Sequence, residues 1–470
     1  MEILRKVRLL GKQAGELRTE LLPQQERVVE RIQRQPGLLV AHGLGSGKTL
    51  SSIAAATALG GKSRALVPAS LIPNYEKEIQ KHVKGPSHIS VESQQRAALR
   101  GESSPTDLLI VDEAHRAREL NTNLYKLLRE YPAKKRLLLS ATPVYNRPSD
   151  IAPLVNIAAG EEVLPTGSSF DEKFVYRPPA YPGFFHRVSG KPMHPTLKNK
   201  EELQRILGKW VDYAENTGGE FPESTEEQIR VPMSDIQTQL HAAAWKKMPW
   251  GLRRKLKAGY LPSRSELSAF NKFESQTRQV SGSSKKYLES DISPKLQAAV
   301  ESLAQKSQED PTSKAIVYSN YLNNLQEYSD ALGEKNIPHR LFTGNVPRKE
   351  RDDAVNAYNA GKIKALLLSS AGGEGLDLKG TRLVQVLEPH WNEEKLDQVI
   401  GRAIRHKSHA ELPEDKRNIL IQRYLTHPKP GLWNRFMRKD PMGVEDVLSG
   451  MSKNKKDLNE QVRELLRQNN

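Results

Sequence analysis

The sequence predicts an α/β protein: two doubly wound parallel-sheet lobes, a helical and basic insertion between them, and a C-terminal helical tail. Three observations predict this. Short apolar runs alternate with helix-length polar segments in two separate stretches. The alternation is lost between residues 160 and 290, and a last helical pattern, DLNEQVRELLRQ, closes the chain. Runs of four or five Leu, Val and Ile residues, spaced by helices, read as strands buried on both faces, hence as parallel βαβ units.

In the first stretch the strand candidates are Leu38–Ala41, Ala65–Pro68, Leu108–Val111 and Leu137–Ser140, with a helix over 49–58 directly after a glycine-rich loop. In the second they are Ala315–Ser319, His339–Phe342, Ala365–Ser369, Leu383–Leu387 and Ile419–Arg423. Between them Pro and Gly cluster in RPPAYPGFFHRVSGKPMHP, and helical patterns follow at 199–214 and 234–258. Segment 241–290 holds eleven Lys or Arg against three Asp or Glu, interleaved with Trp245, Trp250, Tyr260, Phe270, Phe273 and Tyr287. Basic residues with aromatics suit a nucleic-acid groove, with Arg253, Arg254 and Lys255 as candidate contacts. Core aromatics beneath a solvated charged face would spell the same pattern. In the tail, Leu458, Val462, Leu465 and Leu466 share one helical face, expected to pack against the second lobe. The expected organisation is 1–160, a first lobe; 161–290, the insertion; 291–430, a second lobe; and 431–470, the tail.

The chain has 470 residues, 37% hydrophobic and 27% charged, which suits two or three folded domains rather than a disordered chain. Its net charge of +16 points to a polyanionic partner. Cysteine is absent, which excludes disulfides and cysteine-bound metals from these residues and fits a reducing compartment. No apolar run approaches the roughly 20 residues that span a bilayer. The first residues, MEILRKVRLLGKQAGELRTE, read as an amphipathic segment, not a secretory leader.

The chemistry concentrates in a few motifs. Residues 41–49 are Ala-His-Gly-Leu-Gly-Ser-Gly-Lys-Thr between a strand and a helix. Gly43, Gly45 and Gly47 let the backbone turn tightly, and with Ser46 they aim N–H groups inward at the positive end of the helix. Lys48 would neutralise β- and γ-phosphates and Thr49 would ligate Mg²⁺. His42 stands where the strict motif has glycine. Next, the apolar strand LLIV runs into Asp112-Glu113-Ala114-His115. Asp112 can hold Mg²⁺ through water, and Glu113 can orient and deprotonate an attacking water. Ser140-Ala141-Thr142-Pro143, after another strand, could sense the γ-phosphate. In the second stretch Ser369 to Asp377 again leaves a strand into a glycine-rich turn, where Gly375 permits close approach and Asp377 can accept from ribose hydroxyls. Gln398, Arg402 and Arg405 share one helical face. Paired arginines suit a developing phosphoryl charge because their planar forks donate bidentately. Taken singly, each motif has a plainer reading, such as an acidic strand end or a surface salt bridge. The series is what points to ATP hydrolysis.

In this order the motifs resemble those of superfamily 2 helicase-type ATPases, and within them the Swi/Snf-type DNA translocases, close to viral members of the poxvirus nucleoside triphosphatase kind. The resemblance covers about 20–450. Leu22-Pro23-Gln24-Gln25 is similar to the family's adenine-side motif, which implies that Gln25 meets the base. Leu66 to Glu78 resembles its first DNA-contacting motif, and Leu138 to Asn146 is typical. Phe221 to Gln237 resembles the entry to the second lobe, Ser293-Pro294-Lys295 the helix start before its core, and Trp391-Asn392 completes the match. The resemblance implies two RecA-like lobes with ATP in the cleft between them and nucleic acid across both. It implies DNA contacts near Ser70, Asn320, Thr343, Gly344, Ser370 and Trp391. His42 and His406 to His409 lean toward the viral group. No histone-reading module is visible, so chromatin remodelling is not expected.

The expectation is therefore an ATP- and Mg²⁺-dependent translocase on DNA, double-stranded rather than single-stranded, with RNA kept open. A strand-separating DNA or RNA helicase and an ATP-gated scaffold with little turnover are the alternatives. Lys48, Glu113, Arg402 and Arg405 are all present, which argues against the scaffold. Protein partners would dock on 161–290 or on the tail. The expected place of action is cytoplasmic or nucleoid-associated, or the host cell of a virus.

Overall fold

The computed structural model describes residues 16–43, 45–101, 103–141, 144, 147–178, 195–215, 222–257, 262, 266–282, 292–369, 378–388, 408–429 and 443–469. They form two compact units. The first gathers described residues of Met1–Pro178, Pro192–Thr217 and Lys455–Asn470, the second those of Gly218–Asn454.

The sheet of the first unit has six strands: β1 (Gly37–His42), β2 (Ser63–Val67), β3 (Ile89–Ser93), β4 (Thr106–Val111), β5 (Ala133–Ser140) and β6 (Val211–Ala214). They lie in the order β6-β1-β5-β4-β2-β3, and every pairing is parallel. Helices α1 (Pro23–Arg34), α2 (Lys48–Leu59), α3 (Ile72–His82), α4 (Gln94–Arg100), α5 (Asn123–Glu130), α6 (Ile151–Ala159), α7 (Gly167–Phe174) and α8 (Lys200–Trp210) surround it. Alternate residues of the central strands feed two cores. Leu38, Val40, Leu108, Ile110, Leu137 and Leu139 pack on one face with α1 to α3. Leu39, Leu109, Val111 and Leu138 pack on the other with α5 to α8. That is why these strands read as unbroken apolar runs.

In the second unit β7 (Glu223–Pro232), β8 (Lys314–Tyr318), β9 (His339–Phe342), β10 (Ala365–Leu368), β11 (Thr381–Val386) and β12 (Asn418–His427) form a second six-stranded parallel sheet, in the order β7-β12-β11-β8-β10-β9. Its helices are α9 (Asp235–Lys247), α10 (Trp250–Lys257), α11 (Leu267–Gly282), α12 (Pro294–Glu309), α13 (Leu322–Glu334) and α14 (Arg348–Asn359). Helix α12 starts where Ser293 accepts a hydrogen bond from the N–H of Leu296, with Pro294 in the first turn. The last helix, α15 (Val444–Arg467), begins in this unit, where Val444, Val447 and Leu448 pack with α10 and α11. Glu445 makes a fully buried 2.9 Å ion pair with Lys295 and accepts a 2.8 Å bond from the Thr426 hydroxyl. Removing either ion would leave a bare buried charge, at a cost of roughly 3–5 kcal/mol.

Several expectations are corrected. Residues 161–290 do not pack as one body: α7, α8 and β6 join the first unit, and β7 to α11 the second. The tail face of Leu458, Val462, Leu465 and Leu466 packs into the first unit's core, not the second's. Leu197 N–H donates to Gln461 at 2.9 Å, and Arg467 pairs with Glu215 there. The helix expected over 199–214 ends at Trp210, and Val211 onward extends along β1. The helix expected over 234–258 is two helices. Pro249 lacks an N–H and disfavours helical geometry at Met248, which is extended at φ −73°, ψ 144°.

Candidate nucleotide site in the first unit

The glycine-rich loop leaves the C-terminal end of β1 and runs into α2. Gly45 and Gly47 both adopt φ +76°, a region only glycine enters without strain. A Cβ at Gly47 would meet the Gln25 amide nitrogen at 2.4 Å. Gln25 explains the crowding. It is 3% exposed, accepts from the N–H of Leu22 at 2.9 Å, and donates to the carbonyls of Ser46 and Gly47 at 3.2 and 3.5 Å. The residue expected on the adenine side thus also braces the phosphate loop.

The Lys48 ammonium donates to the carbonyls of His42 and Gly43, both at 2.9 Å, and the Ser46 hydroxyl donates to Gly43 at 2.8 Å. Burial lowers the Lys48 pKa, opposed by the carboxylates of Glu113 and Asp112. Lys48 therefore lies within electrostatic reach of both acidic residues, although they are more than sixty residues apart in sequence. Asp112 directly follows β4 and is 9% exposed, and its N–H donates to Leu66 of β2 at 3.0 Å. Burial, aided by the neighbouring Glu113 carboxylate, pushes Asp112 up to about 6 against the pull of Lys48. Gln94 Nε2 holds the Asp112 carbonyl. Glu113 sits at φ 47°, ψ 47°, a strained conformation for a non-glycine residue, with its N–H on Asp112 Oδ1 at 2.9 Å. Its carboxylate is 3.3 Å from His115 Nδ1. Thr49 lies in the first turn of α2, and its carbonyl accepts from Ser52 at 2.8 Å.

Thr49 and Asp112 offer only oxygen donors, the chemistry that a hard divalent ion such as Mg²⁺ takes. The raised Asp112 pKa fits as well, since two crowded carboxylates are relieved by a cation.

Two expected sets of residues are placed differently. Thr142, Pro143, Ser370, Gly375, Asp377, Trp391, Gln398, Arg402 and Arg405 lie outside the described residues. Ser70, by contrast, is exposed in the turn Ala69–Leu71 after β2. Asn320 follows β8, and Thr343 and Gly344 follow β9, all at the carboxyl ends of strands. Glu388, at the end of β11, accepts from the Ser319 hydroxyl at 2.9 Å and from the Asn320 N–H at 3.2 Å. Asn320 Nδ2 and Ser369 Oγ are buried without a partner among the described residues. In the basic segment, Arg254 is exposed with its guanidinium 5.6 Å from the ring centroid of Trp250, itself 67% exposed. Arg253 is half-buried. Lys255 is a correction: it is 2% exposed and ion-paired with Glu266 at 2.7 Å, an interior position rather than a contact surface. Phe270 and Phe273 are also core, while Tyr260 and Tyr287 lie outside the described residues.

One residue of the site went unnoticed in the sequence. Asp212, on β6, is fully buried and binds Arg27, Arg31 and His42. The signal was there, since a carboxylate inside Trp-Val-Asp-Tyr-Ala, if that stretch is a strand, has to be paired.

Two parallel-sheet units, one with Lys48 brought under the field of an Asp-Glu pair, fit a nucleotide-binding α/β protein. A model of the SNF2-related domain matches residues 93–286, and one of the helicase conserved C-terminal domain matches 294–407. A protein of Acanthamoeba polyphaga mimivirus named as an ATP-dependent RNA helicase is 31% identical over 417 residues, spanning 86% of this chain and 88% of that protein. A termination factor NPH-I homolog of African swine fever virus is 24% identical over 497 residues, spanning 82% and 68%. Among solved structures, the helicase domain of Pyrococcus furiosus Hef aligns with a TM-score of 0.49 at 18% identity, covering 85% of this chain and 95% of that one. The chain belongs to the SNF2-related helicase family and is a nucleic-acid-dependent ATPase. No helix of the described residues is long and apolar enough to cross a membrane.

Proposed function

We propose that the protein is an ATP-dependent translocase on double-stranded DNA. The observation that carries this reading is the match to the SNF2-related domain over 93–286, which takes in both the Asp112–Glu113 strand end and most of the basic segment. A net charge of +16 supports a polyanionic track.

In this reading Gly45, Ser46 and Gly47 present backbone N–H groups to the phosphates, Gly43, whose own N–H is held by the Ala214 carbonyl, opens the loop, Lys48 neutralises the phosphates, and Gln25 meets the base. Mg²⁺ on Thr49 and Asp112 would neutralise phosphate charge when bound. Glu113 orients the attacking water and takes its proton. Gln398, Arg402 and Arg405 supply donors to the transferred phosphoryl group, and Gly375 and Asp377 meet the ribose side. Ser70, Asn320, Thr343, Gly344, Ser370 and Trp391 contact the nucleic acid, with Arg253 and Arg254 as added contacts.

A second reading, a strand-separating RNA helicase, is favoured by the name of the mimivirus relative. The test measures ATP hydrolysis with blunt duplex DNA, single-stranded DNA, RNA and no nucleic acid, beside triplex displacement and strand displacement. Duplex DNA should stimulate hydrolysis severalfold and drive triplex displacement without strand separation. Stimulation by RNA alone, with strand separation, would replace this reading by the second.

A further inference from the structure

We infer that Asp212 is a positioning residue for the nucleotide site, setting the shape of the phosphate loop through His42 and through helix α1. The inference rests on reading residues 43–49 as the phosphate-binding loop.

Asp212 is fully buried on an edge strand whose other residues are mostly apolar. A carboxylate there is tolerable only if each lone pair is used. Arg27 donates Nε to Oδ2 and Nη2 to Oδ1, both at 2.9 Å, a fork-to-fork pair. Arg31 adds a third bond at 3.1 Å, and His42 Nε2 lies 2.7 Å from Oδ1. Burial alone would raise the carboxyl pKa, but hydrogen bonds from His42 and Arg27 outweigh it and take it down to about 2. The group is ionised throughout the working range.

Three routes run from this carboxylate to the loop. The first is His42, fully buried at the tip of β1, whose own carbonyl accepts from Lys48. The second is α1. Arg27 and Arg31 anchor it to β6, and Arg31 also donates to the carbonyls of Gly208 and Lys209 at the end of α8. Two residues before Arg27, Gln25 holds the carbonyls of Ser46 and Gly47. The third is β6 itself, whose Ala214 carbonyl accepts from the Gly43 N–H at 2.9 Å. His42, in place of the usual glycine, is thus the loop's connection to a charge on the next strand. A glycine there could make no such bond.

The test uses the full chain with the variants Asp212→Asn, His42→Phe, His42→Gln, the double variant Asp212→Asn/His42→Phe, and Lys48→Ala. The readings are Kd for a fluorescent ATP analogue, KM and kcat for ATP, and Tm, with binding measured well below each Tm. Asp212→Asn and His42→Phe should each raise Kd and KM about tenfold while kcat at saturating ATP changes far less. The double variant should be little worse than either single one, because both break one connection. His42→Gln, which returns an N–H near the Nε2 position, should recover most of the affinity. A lowered Tm with Kd unchanged in both Asp212→Asn and His42→Phe would reduce Asp212 to a stabilising residue and overturn the inference. Strictly additive losses would overturn the route through His42. Lys48→Ala separates the two layers: if it leaves Kd unchanged, the phosphate-loop reading itself fails. If it abolishes binding while Asp212→Asn binds normally, only the positioning role fails.

Discussion

In the proposed mechanism Glu113 is the base, and its surroundings fix its position. It is held in a left-handed backbone conformation beside a buried aspartate, with His115 against its carboxylate. Such strain persists only where the surroundings over-determine it. Replacing it by Gln keeps the volume but removes the base. Glu113→Gln should retain nucleotide affinity and lose about 10²–10⁴ in kcat, checked by steady-state hydrolysis beside equilibrium binding. Hydrolysis at the unmodified rate would remove Glu113 from the role of base. The sequence could single out this residue and Lys48 because each sits in a local motif, and the structure brings the two within electrostatic reach. Asp212 was not legible in it, because its three partners lie on α1 and β1, about 170 residues or more away in the chain. Lys255 misled for the opposite reason: its charge is visible in sequence and its Glu266 partner is not.

At the scale of elements, the strands expected from apolar runs recur at nearly the same residues. His339–Phe342 is unchanged, and Leu108–Val111 lengthens to Thr106–Val111. Strands β3, β6 and β7 escaped detection. Each is an edge strand of its sheet, and their sequences ISVES, VDYA and ESTEEQIRVP have too much polar character for a buried run. Among the helices, α9 and α11 enclose a buried histidine. His241 is 4% exposed, stacked on Trp245 with ring centroids 6.1 Å apart and edge-on to Phe273 at 5.5 Å. Burial lowers its pKa to about 4, against a weaker pull from Glu445. Its folded pKa lies below the ordinary value of 6.5, so the unfolded chain takes up a proton that the folded one refuses. Stability is therefore full above pH 6.5 and declines as pH falls toward 4, by on the order of 3 kcal/mol in all. His241→Phe should remove that part of the decline, seen as a smaller drop in Tm between pH 7 and pH 5. An equal drop in both proteins would place the acid sensitivity elsewhere.

The whole chain carries its charge unevenly. The excess of +16 coexists with an acidic edge strand and a basic stretch over 241–290. If the positive surface is the nucleic-acid track, binding releases condensed counterions, and log K falls linearly with log salt by about 0.9 per phosphate contacted on duplex DNA. Affinity should therefore drop steeply between 50 and 200 mM salt, by about 10³ or more if six or more phosphates are engaged. Titration of labelled duplex across that range checks it, and a flat response would make the net charge incidental. The two-unit organisation was legible because both sheets repeat one pattern of strand and helix. The allotment of 161–290 and of the tail was not, because amphipathic helices declare that they pack but not on what.

Strand β7 has one more consequence. Among the described residues it ends its sheet, aligned over ten residues with β12 on one side. A long open edge is a template on which a foreign strand can add, and unprotected edges of this kind seed aggregates. Here the edge carries Glu223, Glu226 and Glu227, mostly exposed, and ends at Pro232, which has no N–H to offer. A second copy added in parallel register would bring carboxylate against carboxylate. The polar composition that hid β7 as a strand is of the kind that disfavours addition of another chain at this edge.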